Sequence, residues 1–164
     1  MIKNEGLTSF MNKARIRVCG ILEENDSVLM IKHEGIGSGG FLWSPPGGGV
    51  EFGEKAESRL IQEFIEETGL KIKVGSFLFV NEYIDQQLHA IELFFSVTKL
   101  SGELSLGTDP ELSQENQIIK EIRFLSYEKL KNMPRNQVHN AFNSMKMKKS
   151  ITELKGFVKF GDIW

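Results

Sequence analysis

Cysteine is almost absent. Cys19 is the only one in 164 residues, so no disulfide can close within the chain and no thiolate cluster can hold a metal. It lies inside the apolar run Ile16-Arg17-Val18-Cys19-Gly20-Ile21, which reads as a packed core thiol rather than a nucleophile, because free cysteine is commonly buried. The lack of disulfides fits a reducing compartment. Long apolar runs are also missing: no stretch approaches the roughly 20 residues a membrane-crossing helix needs. The opening Met1-Ile2-Lys3-Asn4-Glu5-Gly6 carries no apolar signal-peptide core. A cytoplasmic protein without membrane contact is the expectation. Nor is there an excess of charge of one sign. With 20 Lys plus Arg against 22 Asp plus Glu, the net charge is −2, so nothing global draws polymeric nucleic acid. A small anionic metabolite stays compatible, since a local site with a bound cation overrides the global sign. His33, His89 and His139 are scattered without ligand spacing and read as ordinary.

What is present is the composition of an ordinary soluble domain, 40% hydrophobic and 26% charged. Residues 1–13 read as an N-terminal arm, 14–150 as one domain and 151–164 as a tail packed on it. Ala14 to Leu22 alternates like a strand, Glu23-Glu24-Asn25-Asp26 is a turn, and Ser27 to Lys32 returns, so a hairpin is the simplest reading. A Gly-rich loop, His33 to Gly40, leads to Phe41-Leu42-Trp43-Ser44-Pro45-Pro46-Gly47-Gly48-Gly49, whose Pro and Gly exclude helix. Glu54 to Thr68 is a strong helix, acidic in its first turn and followed by Gly69 at the position where helices stop. Two long strands, Ile72 to Asn81 and Leu88 to Leu100, precede a polar surface loop, Ser101 to Asn116. A strand over Ile118 to Leu125 follows, then helices over Ser126 to Lys131, capped by Ser126, and Gln137 to Lys148. The tail from Gly156 has strand-like spacing without an obvious partner. Together these elements predict an α/β fold with a mixed central sheet.

The helix carries the chemistry. At about 100° per residue, Leu60, Ile61, Phe64 and Ile65 form the arc that should dock on the sheet, and Glu63, Glu66 and Glu67 form a separate one. Like charges at these spacings cost a few tenths of a kcal/mol per pair, and the negative end of the helix dipole adds to that cost. Arg59 is the only base nearby. A hard divalent cation, Mg2+ or Mn2+, would offset the crowding, since such ions take oxygen ligands. On the carboxylates alone, a solvated acidic face is an equal alternative. Gly47-Gly48-Gly49 favours the ion, because backbone without Cβ can approach an ion or phosphate closely.

Gly48-x5-Glu54-x7-Gln62-Glu63-Phe64-x-Glu66-Glu67-x-Gly69-Leu70 resembles the Nudix box, G-x5-E-x7-R-E-U-x-E-E-x-G-U with U apolar. One position departs: the family's Arg is Gln62. The preceding Trp43-Ser44-Pro45-Pro46-Gly47-Gly48 also resembles the family's approach to its box. The resemblance implies a Nudix-type α/β/α sandwich and a hydrolase of the MutT-like kind, cutting a phosphoanhydride bond in a nucleoside diphosphate linked to another group. An NTP, a nucleotide sugar or an ADP-ribose-like compound would qualify. It implies that Glu63, Glu66 and Glu67 ligate Mg2+ or Mn2+, with Glu63 also a candidate to orient or deprotonate water, and that the Gly47 carbonyl completes the shell. Gly48, Glu54, Gln62 and Gly69 then shape the loop and helix. Glu121 is the candidate for a further metal carboxylate, with Glu111 and Glu115 behind it, and Arg17 and Arg123 are the candidates for substrate contact. Phe41 and Trp43 read as core. By analogy a homodimer is expected. Gln62 can donate a hydrogen bond but carries no charge, so reduced activity or a rearranged base is expected. The alternative is a nucleotide-binding regulatory module of the same fold, with weak or no catalysis.

Overall fold

The computed structural model describes residues 13–36, 38–85, 88–108 and 117–158. Its strands are β1 (Lys13–Ile21), β2 (Glu23–Glu24), β3 (Ser27–Glu34), β4 (Phe41–Ser44), β5 (Gly47–Gly49), β6 (Lys71–Asp85), β7 (Leu88–Ser101), β8 (Ile119–Ser126) and β9 (Gly156–Val158). Its α-helices are α1 (Ala56–Thr68) and α2 (Tyr127–Asn132), with 3-10 segments at Asn140–Met147 and Ile151–Glu153. A five-stranded mixed sheet runs β5-β1-β7-β6-β9, β1–β7 and β6–β9 being parallel. The second sheet runs β2-β3-β4, and β8 also pairs with β3. The mixed α/β class expected from the sequence is what the chain adopts.

Two layers of core lie on opposite sides. On one, Leu60 and Phe64 of α1 pack on Val18, Leu22, Leu29, Ile72, Phe95 and Val97. On the other, Tyr127, Leu130, Phe142, Met145 and Ile151 cover Cys19, Ile21, Met30, Trp43, Phe79 and Phe94. Cys19 is 3% exposed, and burial pushes its thiol well above the ordinary range, consistent with a core role. Ile61 and Ile65 differ from expectation: they are 38% and 46% exposed. The sheet reaches only the Leu60–Phe64 edge of the helix, so half of the predicted apolar arc faces outward.

The predicted hairpin is wrong in its arms. Its turn is real, with positive φ at Asn25 and Asp26, the geometry that favours tight hairpins. The strand it joins to β3, however, is the two-residue β2. β1 instead lies between β5 and β7. The reason is burial on both faces: Val18, Cys19, Ile21 and Leu22 are all buried, as are Val28 through Ile31. Each run is an interior strand needing neighbours on both edges, and a single hairpin supplies one.

The predicted helix over Gln137 to Lys148 also changes. Val138 bridges Trp43 in parallel. The Trp43 N–H donates to the Gln137 carbonyl at 2.9 Å, and the His139 N–H donates to the Trp43 carbonyl at 2.8 Å. Residues 137–139 are thus spent extending β4, and a 3-10 turn begins only after His139, whose side chain caps Ala141. Ser126 caps α2 as expected. The tail's first residues form β9, parallel to β6. Among the described residues no helix is long and apolar enough to cross a membrane.

Phe64 is fully buried and a Cβ on Gly20 would collide with its ring, so α1 is seated on a ring-to-backbone contact. Phe64→Ala should cost about 3–5 kcal/mol, the range for emptying a buried aromatic site, read as a fall in the urea midpoint with unchanged m-value.

Candidate active site

α1 begins two residues after Glu54, whose carboxylate accepts the Glu51 N–H at 3.2 Å and so ties the loop to the helix entrance. Gly69 ends the helix at φ 72° with its N–H on the Ile65 carbonyl. The last carbonyls find donors in the segment after β7. Ser105 N–H donates to Thr68, Gly107 N–H to Glu67 and Thr108 N–H to Glu66, at 2.9–3.3 Å. Gly107 lies so close that a Cβ there would strike the Glu66 carbonyl. These donors satisfy groups that a helix end leaves orphaned and blunt the negative dipole end where the carboxylates stand.

Glu63 and Glu67 lie on the α1 edge that faces β5, with Glu66 between them in sequence. Glu63 and Glu67 are each only 5% exposed. Gly47 N–H donates to Glu67 Oε2 at 3.0 Å. Glu63 lies against Gly48, where any Cβ would collide with the carboxylate. Arg59, one turn earlier, makes an ion pair with Glu63, both side chains largely buried. Gln62 donates to Glu66 Oε1 at 2.7 Å, while Glu66 Oε2 is buried with no hydrogen-bond partner among the described residues. Burial is the largest influence on Glu63 and raises its carboxyl above the ordinary value; Glu66 adds to the rise and Arg59 opposes it.

Among the described residues, no three Asp, Glu, His or Cys side chains are gathered closely enough to grip a metal ion. The Glu63, Gln62–Glu66 and Gly47–Glu67 contacts explain why: each carboxylate is claimed by a different neighbour. The donor set nevertheless fits a hard divalent cation. All the donors are oxygen, Glu63 is ion-paired to Arg59, one buried oxygen is orphaned among the described residues, and the glycine at position 48 lets Glu63 lie directly on the backbone.

A profile of the NUDIX domain matches residues 11–145. The chain belongs to the Nudix family. It is 38% identical over 96 residues to an ADP-ribose pyrophosphatase of Methanocaldococcus jannaschii, a match covering 57% of this chain and 56% of that one. The chain thus spans little more than half the length of this curated relative. Its fold matches a UDP-X diphosphatase at TM-score 0.63 and 20% identity, over 89% of this chain and 68% of that one. It also matches a MutT Nudix hydrolase from Burkholderia pseudomallei at TM-score 0.63 and 20% identity, over 77% and 92%. At such identities the two structures speak to the Nudix fold alone.

The remaining candidates scatter. Glu121 stands on β8 with Lys32 at 3.0 Å and Arg123 as its partners, not the box carboxylates. Arg123 also lies 5.8 Å from the Trp43 ring centroid. Glu111 and Glu115 lie outside the described residues. Arg17 sits nearer the box. In the register Gly49–Arg17–Glu92–Asn81, one row crosses β5, β1, β7 and β6, and Arg17 Nε lies 3.7 Å from Glu92 Oε1.

That row ends in a buried polar cluster that sequence reasoning missed. Glu92, Asn81 and His139 are 6%, 0% and 7% exposed. His139 Nε2 is 2.9 Å and Asn81 Nδ2 is 2.6 Å from Glu92 Oε2, and Asn81 also donates to Asn140 at 3.1 Å. The available signal was a single acid among the apolar residues of Ala90 to Phe95. His139, read as ordinary, clamps the segment after α2 to the sheet. Burial pushes the Glu92 carboxyl up, but His139, Arg17 and Asn81 together bring it down to about 2. A depressed carboxyl stabilises the fold above its unfolded value, and the contribution is lost as pH falls through the folded one. The stability gap between wild type and Glu92→Gln should therefore be widest above the ordinary carboxylate range and shrink as pH drops toward about 2. Urea titrations at a series of pH values measure it, and a constant gap would contradict this account.

Proposed function

We propose that this protein is a divalent-metal-dependent pyrophosphohydrolase acting on a nucleoside diphosphate linked to another moiety, with ADP-ribose-like compounds the first class to test. The observation that carries the reading is the seating of Glu67 on Gly47 and Glu63 on Gly48, with Glu66 beside them on α1. Kinship with an ADP-ribose pyrophosphatase supports the substrate class.

Nudix hydrolases generally use divalent metal ions. Here Glu63, Glu66 and Glu67 would hold Mg2+ or Mn2+, with the orphaned Glu66 Oε2 offering lone pairs that no described neighbour uses. When bound, such an ion neutralises charge on phosphoryl oxygens and lowers the pKa of water. The chain's own residues do the positioning. Gly47 N–H fixes the Glu67 carboxylate, Gln62 turns Glu66, and Gly48 admits Glu63 to the backbone. Glu63, whose burial raises its carboxyl above the ordinary value, is the residue we assign to orient or deprotonate a water molecule. Arg17, in register between Gly49 and Glu92, is our candidate cation for meeting an anionic substrate. Glu121 is left out of the ligand set, because Lys32 and Arg123 already neutralise it. Orientation of this kind supplies much of the catalysis of phosphoryl transfer.

A panel of ADP-ribose, nucleotide sugars and NTPs, with phosphatase-coupled phosphate detection, should show turnover in Mg2+ or Mn2+ and none in excess EDTA. Glu67→Gln should lower kcat by about 100-fold or more, as expected for losing charge stabilisation in the transition state. Saturable nucleotide binding without turnover in either metal would show a regulatory module instead.

A further inference from the structure

Of the three box carboxylates, Glu67 accepts a backbone N–H, Glu66 accepts an uncharged amide N–H, and Glu63 makes an ion pair with an arginine of its own helix. The box position that the family fills with Arg is Gln62 here, and Gln62 turns to Glu66 instead. The cation comes from one turn back, at Arg59, and its side chain is buried with that of Glu63 (11% and 7% exposed).

We propose that Arg59 is a resident counter-ion for Glu63, holding that carboxylate against Gly48 while no metal is present and competing with the metal for it. The inference rests on the reading of Glu63 as a metal ligand. Three facts favour it. Glu63 is too buried for water to solvate its charge, and removing one partner of a buried pair strands the other. Its carboxylate packs directly on the backbone at Gly48, where a Cβ would collide with it. The Arg59 charge also acts on Glu66, so it opposes a cation placed beside either acid. Arg59 is thus a positioning residue, and its charge opposes the ion it prepares the site for.

The test uses the whole chain and Mn2+ alone, without nucleotide, so it does not depend on turnover. Melting is followed with and without Mn2+, and binding by the loss of free-Mn2+ electron paramagnetic resonance signal. Arg59→Met should melt about 10 °C lower without metal, the scale of a broken buried pair in a chain this size. It should bind Mn2+ about fivefold more tightly and gain about 3 °C more from saturating Mn2+ than wild type does, the linkage expected when a competing cation is removed. Lys129→Met, which removes an exposed cation from α2, should change neither. A purely structural arginine would lower the melting point and leave the Mn2+ gain unchanged or smaller, and that result overturns the proposal. Should Arg59→Met not fold, Arg59→Gln, which keeps an amide donor for Glu63 but carries no charge, takes its place in the test. It should bind Mn2+ more tightly than wild type, and equal or weaker binding overturns the inference. If wild type itself showed no Mn2+ binding, the metal reading of the box would fail instead, so the two failures are distinguishable.

Discussion

Three carboxylates on little more than one turn of helix is a constraint that a protein satisfies only by surrounding it with compensation. Glu63, Glu66 and Glu67 stand near the negative end of α1, two of them buried. Around them the structure places an arginine, an amide, a backbone N–H and a bed of glycine. The N–H groups of Ser105, Gly107 and Thr108 cover the helix carbonyls just beneath. Each makes a crowded anionic edge tolerable without dispersing it. A fold that merely needed a polar helix face would put lysines there at less cost.

The sheet carries a second electrostatic centre, and Arg17 links the two. One side of the Arg17 row is the glycine strand that carries the box; the other is Glu92 with His139 and Asn81. A buried carboxylate so well supplied with donors can stay ionised, and the price is high only if one donor is lost. The cluster also anchors residues 139–140, where the chain leaves its bridge to β4 and enters the 3-10 segment. The wall opposite α1 and the bed beneath it are thus joined through strand register rather than through a loop.

The box itself was legible in the sequence. The acids sit at i, i+3 and i+4, the glycines at a set distance before them, and Gly69 at the end, and all of these are local relations that helix geometry makes visible. The class of the fold was legible as well, from alternation in β6 and β7 and the stop signals around α1. Misreadings arose where burial came from both sides. β1 and β3 looked like hairpin arms because their alternation was read as one-sided, yet both are interior strands. Ile61 and Ile65 looked buried because a helical wheel gives an arc and not the width of the surface that covers it.

By itself, the sequence determined which side chains share the acidic edge of α1, where that helix stops, and which family's box it carries, because spacing along one helix converts directly into position. Only the tertiary structure decided their partners: Arg59 on Glu63, Gly47 N–H on Glu67, His139 on Glu92, and Lys32 with Arg123 drawing Glu121 away from the box. Nearly all of these pairs join residues on different strands, loops and helices. Arg59 and Glu63 share one helix, and their pairing sits beside the Gly48 backbone. The pairing of charges far apart in sequence depends on register and packing, and no local pattern encodes it.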